Sequence, residues 1–430
     1  MSINSRQDRH LPVRPDLDQL KHQAKDLLRA VRRGDQAAIE EFNQFHPKPV
    51  APDDANLADA QLALARAYQA PSWARLVQAC KLIDAIWNDD IVAVRDLVTK
   101  NPNLLHEHAT VRNSNWGPPL SYAANLGRDE ILKMLHELGA TDLEHAIDRA
   151  TLQGKIGTAK MLHEMLGSPQ LPADCLGGPA YTLSASGTAL IFELGAKVLD
   201  SIGRQFAPVD VVLETDSRKP EEKHSILEMY VQHGFELPDT PVMALHRGRI
   251  DLLEEHLRRD PGLLRRTFTH EEIYPPEFGC HDEVLATQGT PLAGTTLLHM
   301  CVDYEELEIA KWLIAKGADV NTKAAVDANG FGGHTALFCT VVSQPNFWMN
   351  YQDRPQEAPF AELLLQHGAD PNIRASLRKK MHPGYAPKFD TETMFEYRDV
   401  TALAWGEQFN ARIFVSEPAI QLIKQYGGRV

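Results

Sequence analysis

The sequence predicts an all-α solenoid of stacked helix pairs. Three observations carry that prediction. A helix opening of the form T-x-L recurs along the chain, at Thr295–Leu297, Thr335–Leu337 and Thr401–Leu403. A closing pattern, L-x-x-x-G-A-D-x-N, ends two of these units, at Asn321 and Asn372, and a looser QLIKQYGG ends the third. Between opening and closing, the apolar residues fall at helical spacing on one face, the mark of an amphipathic helix. Two short helices cannot bury their apolar faces alone, so such units imply neighbours of the same shape.

The clearest unit runs from Trp116 to Asp142, WGPPLSYAANLGRDEILKMLHELGATD. Pro119 and Leu120 open a short helix, and the small Ala123 and Ala124 allow close helix approach. Gly127 turns the chain. Ile131, Leu132 and Leu135 then form the inward stripe of a second helix, which Gly139 stops in the left-handed conformation such ends favour. The same form returns in Thr295–Asn321, in Thr335–Leu337 with Ala361–Asn372, and in Thr401–Leu403 with Ala419–Gly427. The middle of the chain is more degenerate. Leu143–Gly167 reads as a helix pair around Gly154, Ala180–Lys197 as a shortened unit, and Val209–Gly234 as a unit whose turn is lengthened by DSRKPEEKH. Ala30–Pro47, Ala85–Leu105 and Ala244–Leu264 share a second sub-pattern: a small residue, a charged turn, an apolar helix and a proline stop.

These segments resemble the ankyrin repeat, with its TPLH start, its GAD ending and about 33 residues per unit. The resemblance covers roughly residues 80 to 430 and is strongest at 116–142 and 294–373. It implies a stack that binds other proteins through the turn tips and the first helix of each pair. By register, the corresponding positions are Asn115, Asn125 and Leu126 in the first clear repeat. They are Ala293, Thr295, Asp303 and Tyr304 in the next, His334, Val342 and Ser343 in the third, and Gln408 and Phe409 in the last. His299 stands at the TPLH histidine, which in the family bonds backbone in neighbouring turns. Residues 1–80 are expected to form an N-terminal helical capping module, similar to the leader of many bacterial ankyrin-repeat proteins, with Asp16 capping its first helix. Residues 81–430 then form the repeat domain.

Inserts interrupt the repeats near 268–293, 344–359 and 373–398. Loops of such length are usually functional or disordered. Here they carry Tyr274, Phe278, Phe347, Trp348, Tyr351, Tyr385, Phe389, Phe395 and Tyr397, and a disordered segment is poor in aromatics. They are therefore expected to be ordered and to pack over the C-terminal half. Trp348, Tyr351 and Tyr397 are expected beside the groove positions Tyr304 and His334, since rigid aromatics concentrate at interface hot spots. No strand beyond short turn hairpins is expected.

Composition narrows the function. The chain has 430 residues, 43% of them hydrophobic, and a formal net charge of −14 from 58 acidic and 44 basic side chains. That balance argues against nucleic-acid binding, which favours a basic face. No apolar run approaches membrane-spanning length. The five cysteines are scattered without a CxxC, and the N-terminus shows no apolar signal segment, so a reduced, cytoplasmic monomer is expected. His270, Glu271, Glu272, Cys280, His281 and Asp282 are metal-ligand types within one loop, but their spacing fits no closed site and no metal or other cofactor is expected. No phosphate loop, dinucleotide fingerprint or nucleophile elbow appears. The reading is a scaffold for a protein partner, bound through the groove and the C-terminal-half inserts. The alternative is an enzyme or small-ligand binder with a pocket built from those inserts.

Overall fold

The computed structural model describes residues 9–200, 202–281, 289–343, 357–381 and 393–430. The chain divides into two compact units, Met1–Gln170 and Leu171–Val430.

In the first unit, helices Leu17–Arg32, Gln36–Phe45, Leu57–Ala67 and Trp73–Trp87 form the N-terminal part. Asp16 caps the first as expected, its carboxylate accepting from the amides of Asp18 and Gln19 at 2.8 and 3.1 Å. The boundary expected near residue 80 falls inside the helix Trp73–Trp87. The helix Ile91–Lys100 follows, and then two helix pairs, Pro119–Leu126 with Asp129–Glu137 and Leu143–Leu152 with Ile156–Met165. Gly127 takes φ 66 between the helices of its pair, a conformation that costs a side-chain-bearing residue about 1–2 kcal/mol. Ile131, Leu132 and Leu135 are buried, as their spacing requires.

The second unit repeats this plan. Helices Leu297–Asp303 and Leu307–Ala315 form its most regular pair; Ala336–Val341 pairs with Pro359–Gln366, and Ala402–Gln408 with Glu417–Gln425. The degenerate middle contains Ala185–Glu193, Val209–Glu214, Pro220–Gln232, Pro241–His246 and Ile250–Arg259. Gly317, in the GAD closing, takes φ 100. Trp405 lies fully buried in the last repeat, with its indole N–H donating to Thr290 Oγ1 at 3.0 Å.

One expectation is corrected. The insert near 373–398 supplies two full strands, β1 (Arg374–Met381) and β2 (Thr393–Thr401), paired antiparallel. Along β1, Ala375, Leu377, Lys379 and Met381 alternate inward while Arg374, Ser376, Arg378 and Lys380 face out. The period of two is a strand signal. It was masked in the sequence because one of the four inward positions is a lysine. Among the described residues the other elements are all helices.

Candidate functional site

The positions inferred from the repeat register are mostly interior. Asn125, Thr295, Asp303, Tyr304, His334, Tyr397 and Phe409 are all buried, so they are not open groove residues. Leu126 and Ser343 are half-buried. Trp348 and Tyr351 lie outside the described residues.

Each buried position is occupied for a specific reason. Asn125 donates from Nδ2 to the Ser121 carbonyl within its own helix, 2.9 Å. Thr295 Oγ1 donates to the Leu292 carbonyl at 2.5 Å. His334 donates from Nε2 to the Pro291 carbonyl at 3.0 Å, and its own carbonyl accepts from His299 Nε2 at 3.1 Å. His299 therefore plays the backbone-bonding role that the resemblance implied. Burial pulls His299 down to about 4 and His334 to about 3, so both rings are neutral. Tyr397 packs edge-on against Trp405 with ring centroids 4.7 Å apart, and stacks at 6.1 Å on Phe409. The inner side of the hairpin supplies Tyr397, which is why it is covered.

Asp303 and Tyr304 belong to an interior ionic centre that sequence reasoning missed. The lengthened turn DSRKPEEKH folds back so that two of its cations enter the protein. Arg218 donates from Nε to the Asp303 carbonyl at 2.7 Å and from Nη2 to its carboxylate at 2.9 Å. Arg218 Nη1 is held by the carbonyls of Thr215 and Ser217 at 2.8 and 3.0 Å. Lys223 Nζ reaches Glu306 Oε1 at 2.8 Å, and His224 Nε2 bonds the same carboxylate at 2.9 and 3.0 Å. Both cations stand over the Tyr304 ring, Lys223 at 4.6 Å and Arg218 at 5.0 Å from its centroid. His246 meets that ring edge-on at 4.6 Å. The Tyr304 hydroxyl donates to Tyr274 at 2.8 Å, which ties in the 268–293 insert.

Burial and charge pull the groups of this centre in opposite directions. Burial pushes the Glu306 carboxyl up, but Lys223 and His224 together outweigh burial and hold it below the usual carboxylate range. Burial pulls the Lys223 amine below the ordinary lysine range against the attraction of Glu306. Burial, reinforced by Lys223, holds His246 well below an ordinary histidine. Burial raises Tyr304 well above an ordinary tyrosine. Two acidic side chains face two basic ones across the ring, and the phenol stays neutral. The only sequence signal was a charged turn set against the acidic D-Y-E-E at 303–306.

A serine, a histidine and an aspartate also converge in the first unit. Ser121 Oγ donates to Asp142 Oδ2, and His145 Nδ1 lies 2.9 Å from Ser121 Oγ. In a nucleophilic triad the base takes the serine proton and the acid orients the base. Here the serine proton points at the carboxylate, and Ser121 is fully buried. The cluster joins neighbouring repeats rather than presenting a nucleophile. In the 268–281 loop, His270 Nε2 donates to the His281 carbonyl at 2.8 Å and His281 Nδ1 pairs with Glu214 at 2.7 Å. Among the described residues, no three or more His, Cys, Asp or Glu side chains converge as a metal-ligand set. No helix among them is long and apolar enough to cross a membrane.

The outer side of the hairpin is different in kind. Gly332 and Ser376 exchange backbone bonds, N–H to carbonyl at 2.7 and 3.3 Å. They join β1 to the turn Val326–Gly332 as one strip. Phe331 of that turn lies beneath two arginines, Arg398 at 4.3 Å and Arg378 at 5.0 Å from its ring centroid. Arg378 is further fixed by Asp327 at 2.7 Å. Val326 and Met394 stand out from the strip, 61% and 48% exposed.

The repeated helix pairs and the turns that join them define a repeat protein. The ankyrin-repeat family model matches residues 293–325. Among solved structures, the chain is similar to the ankyrin repeat domain of human ASB11, at 16% identity over 73% of this chain and 99% of that chain, with a TM-score of 0.25. No curated protein matches the sequence. Residues 293–325 therefore carry an ankyrin repeat, and the helix pairs around them are similar to it in plan.

Proposed function

We propose that this protein is a binding scaffold for a protein partner, and that the partner docks on the strip formed by the hairpin's outer face and the turn Val326–Gly332. Ankyrin repeats are generally protein-interaction modules. The observation that carries the location is the bracketing of Phe331 by Arg378 and Arg398 beside exposed Val326 and Met394. Arginine and methionine are enriched at interfaces. Arginines already held by an aromatic face and by ion pairs lose little freedom on binding, which raises affinity for a given contact area. The half-buried Ser343, in the same unit, is proposed as a further contact. The five cysteines form no disulfide, which suits the cytoplasm as the site of action, and we take the working form as a monomer.

The test is affinity capture from native cytoplasm by four forms: wild type, Arg398→Ala, Met394→Ala, and a deletion of 344–359. The two point variants alter exposed side chains, so their melting curves should match wild type while partner recovery falls. Undiminished recovery by both point variants removes the strip from the proposal.

A second reading, a small-ligand binder or enzyme, has one observation in its favour. Lys379 is 1% exposed on the inner side of β1, and burial lowers its amine to about 7. Buried amines in that range are found at functional sites. That reading requires Lys379→Met to abolish binding of a small ligand by a protein that stays folded.

A further inference from the structure

In the first unit the segment 107–113 closes against the start of the helix Trp73–Trp87, leaving a cleft of about 420 Å3 between them. Small-molecule sites are commonly of this size. Pro71 and Val111 give the cleft an apolar wall, and its charged lining is Arg75, Arg112 and a single carboxylate, Glu107. In a chain of net charge −14, a cleft with two guanidiniums against one carboxylate runs against the overall balance.

The hydrogen bonding shows which donors are committed. Arg75 Nε donates to Glu107 Oε2 at 2.8 Å, so the one carboxylate is already engaged. Arg75 Nη2 reaches the His108 carbonyl at 3.5 Å. Its Nη1 is shut off from water and has no hydrogen-bond partner. A shielded donor on an ionised group leaves its desolvation uncompensated, and such a group in a native protein calls for an explanation. His108 Nδ1 accepts from the Ser114 amide at 3.2 Å. With Nδ1 accepting, the ring proton sits on Nε2, which makes that nitrogen a donor. Arg112 uses Nη1 on His10 Nε2 at 2.9 Å. The exposed Asn113 adds a side-chain amide to the lining. Val111, between these donors, sits at φ 64, an outlying conformation for a β-branched residue. Strain of that kind gathers at ligand clamps and switch segments.

We propose that this cleft binds a small molecule through an oxyanion group, a phosphate or a carboxylate. The anion would take the Arg75 and Arg112 guanidiniums and the His108 Nε2–H as its donors, with the rest of the molecule against Pro71 and Val111. Arg75 also has a plain structural task, since its bonds to Glu107 and the His108 carbonyl brace the segment 107–113. That task accounts for Nε and Nη2 but leaves Nη1 and the donor excess unexplained.

The test is isothermal titration calorimetry of the full chain with inorganic phosphate and, separately, succinate, against sodium chloride at matched ionic strength. We expect one saturable site for at least one of the two anions. The stronger heat decides between phosphate and carboxylate. Arg112→Gln should weaken that site by about tenfold or more without moving the melting curve of the free protein. Arg75→Gln removes the brace as well, so it should lose binding and lower the melting temperature. An anion that saturates no site, or one that binds Arg112→Gln and Arg75→Gln as it binds wild type, overturns the proposal.

Discussion

Replacing Glu306 with glutamine perturbs the interior ionic centre at its most sensitive point. Glu306 and Lys223 are each about 3% exposed and 2.8 Å apart. With the carboxylate gone, the Lys223 ammonium keeps only the Tyr304 ring at 4.6 Å and His246 Nδ1 at 3.5 Å, beside a second buried cation, Arg218. Leaving one member of a buried pair uncompensated costs about 3–5 kcal/mol. The converse change, Lys223→Met, is milder. It leaves Glu306 bonded to His224, whose side chain is 25% exposed. A cost of about 1–2 kcal/mol is expected there, in the range of a lost charged hydrogen bond. Because the chain has two compact units, a single global melt mixes their transitions. Urea-dependent hydrogen exchange over residues 297–315 isolates the relevant one. Glu306→Gln should lower protection there by more than Lys223→Met does. Equal losses, or a Glu306→Gln loss below about 1 kcal/mol, would show that the centre is solvated and not a buried ion pair.

Three further outcomes follow. Leu135→Ala and Leu313→Ala each remove a fully buried side chain from a second helix, and each should cost about 2–5 kcal/mol in a urea melt; a cost below about half a kcal/mol would mean the repeat register is wrong. Lys379 releases its proton near 7 when folded against about 10.5 ordinarily. Between those values the unfolded chain holds more protons, so this residue makes stability rise with pH and fall as pH drops toward 7, by on the order of 5 kcal/mol at most. Lys379→Met should therefore flatten the pH dependence of the melting temperature between pH 7 and 9, and an unchanged slope would count against a buried amine. Gly332→Ala places a Cβ 2.0 Å from the Ala325 carbonyl oxygen at φ 121; it should destabilise the turn and the β1 pairing by at least about 2 kcal/mol, and a wild-type melt would refute that crowding.

How much of this was legible in the sequence depends on the range of the interactions. The helix pairs were readable because their signals are local: Gly127 and Gly317 at the turns, the Ile131–Leu135 stripe, the T-x-L openings. The interior of the second unit was not, because its partners are far apart in sequence. Nothing near Tyr304 announces that Arg218, 86 positions earlier, covers it. Asp303 and Tyr304 stand at the end of the helix Leu297–Asp303, and His334 stands just before Ala336–Val341. The register took them to be open because a regular stack leaves such positions bare. Here the lengthened turn at 215–223, the Tyr274 insert and the Pro291 segment fill that space. The hairpin was hidden by Lys379, an inward residue whose charge breaks the apolar alternation that a half-buried strand displays. Its outer arginines looked like ordinary surface charge until the pairing of Gly332 with Ser376 set them over Phe331.

The most direct measurement of the central claim is a hydrogen-exchange footprint of this protein in complex with its captured partner. Docking on the strip predicts new protection over residues 326–333 and 374–401, lost in the Arg398→Ala variant. Protection confined to other segments, such as the helices of 119–165, would contradict it.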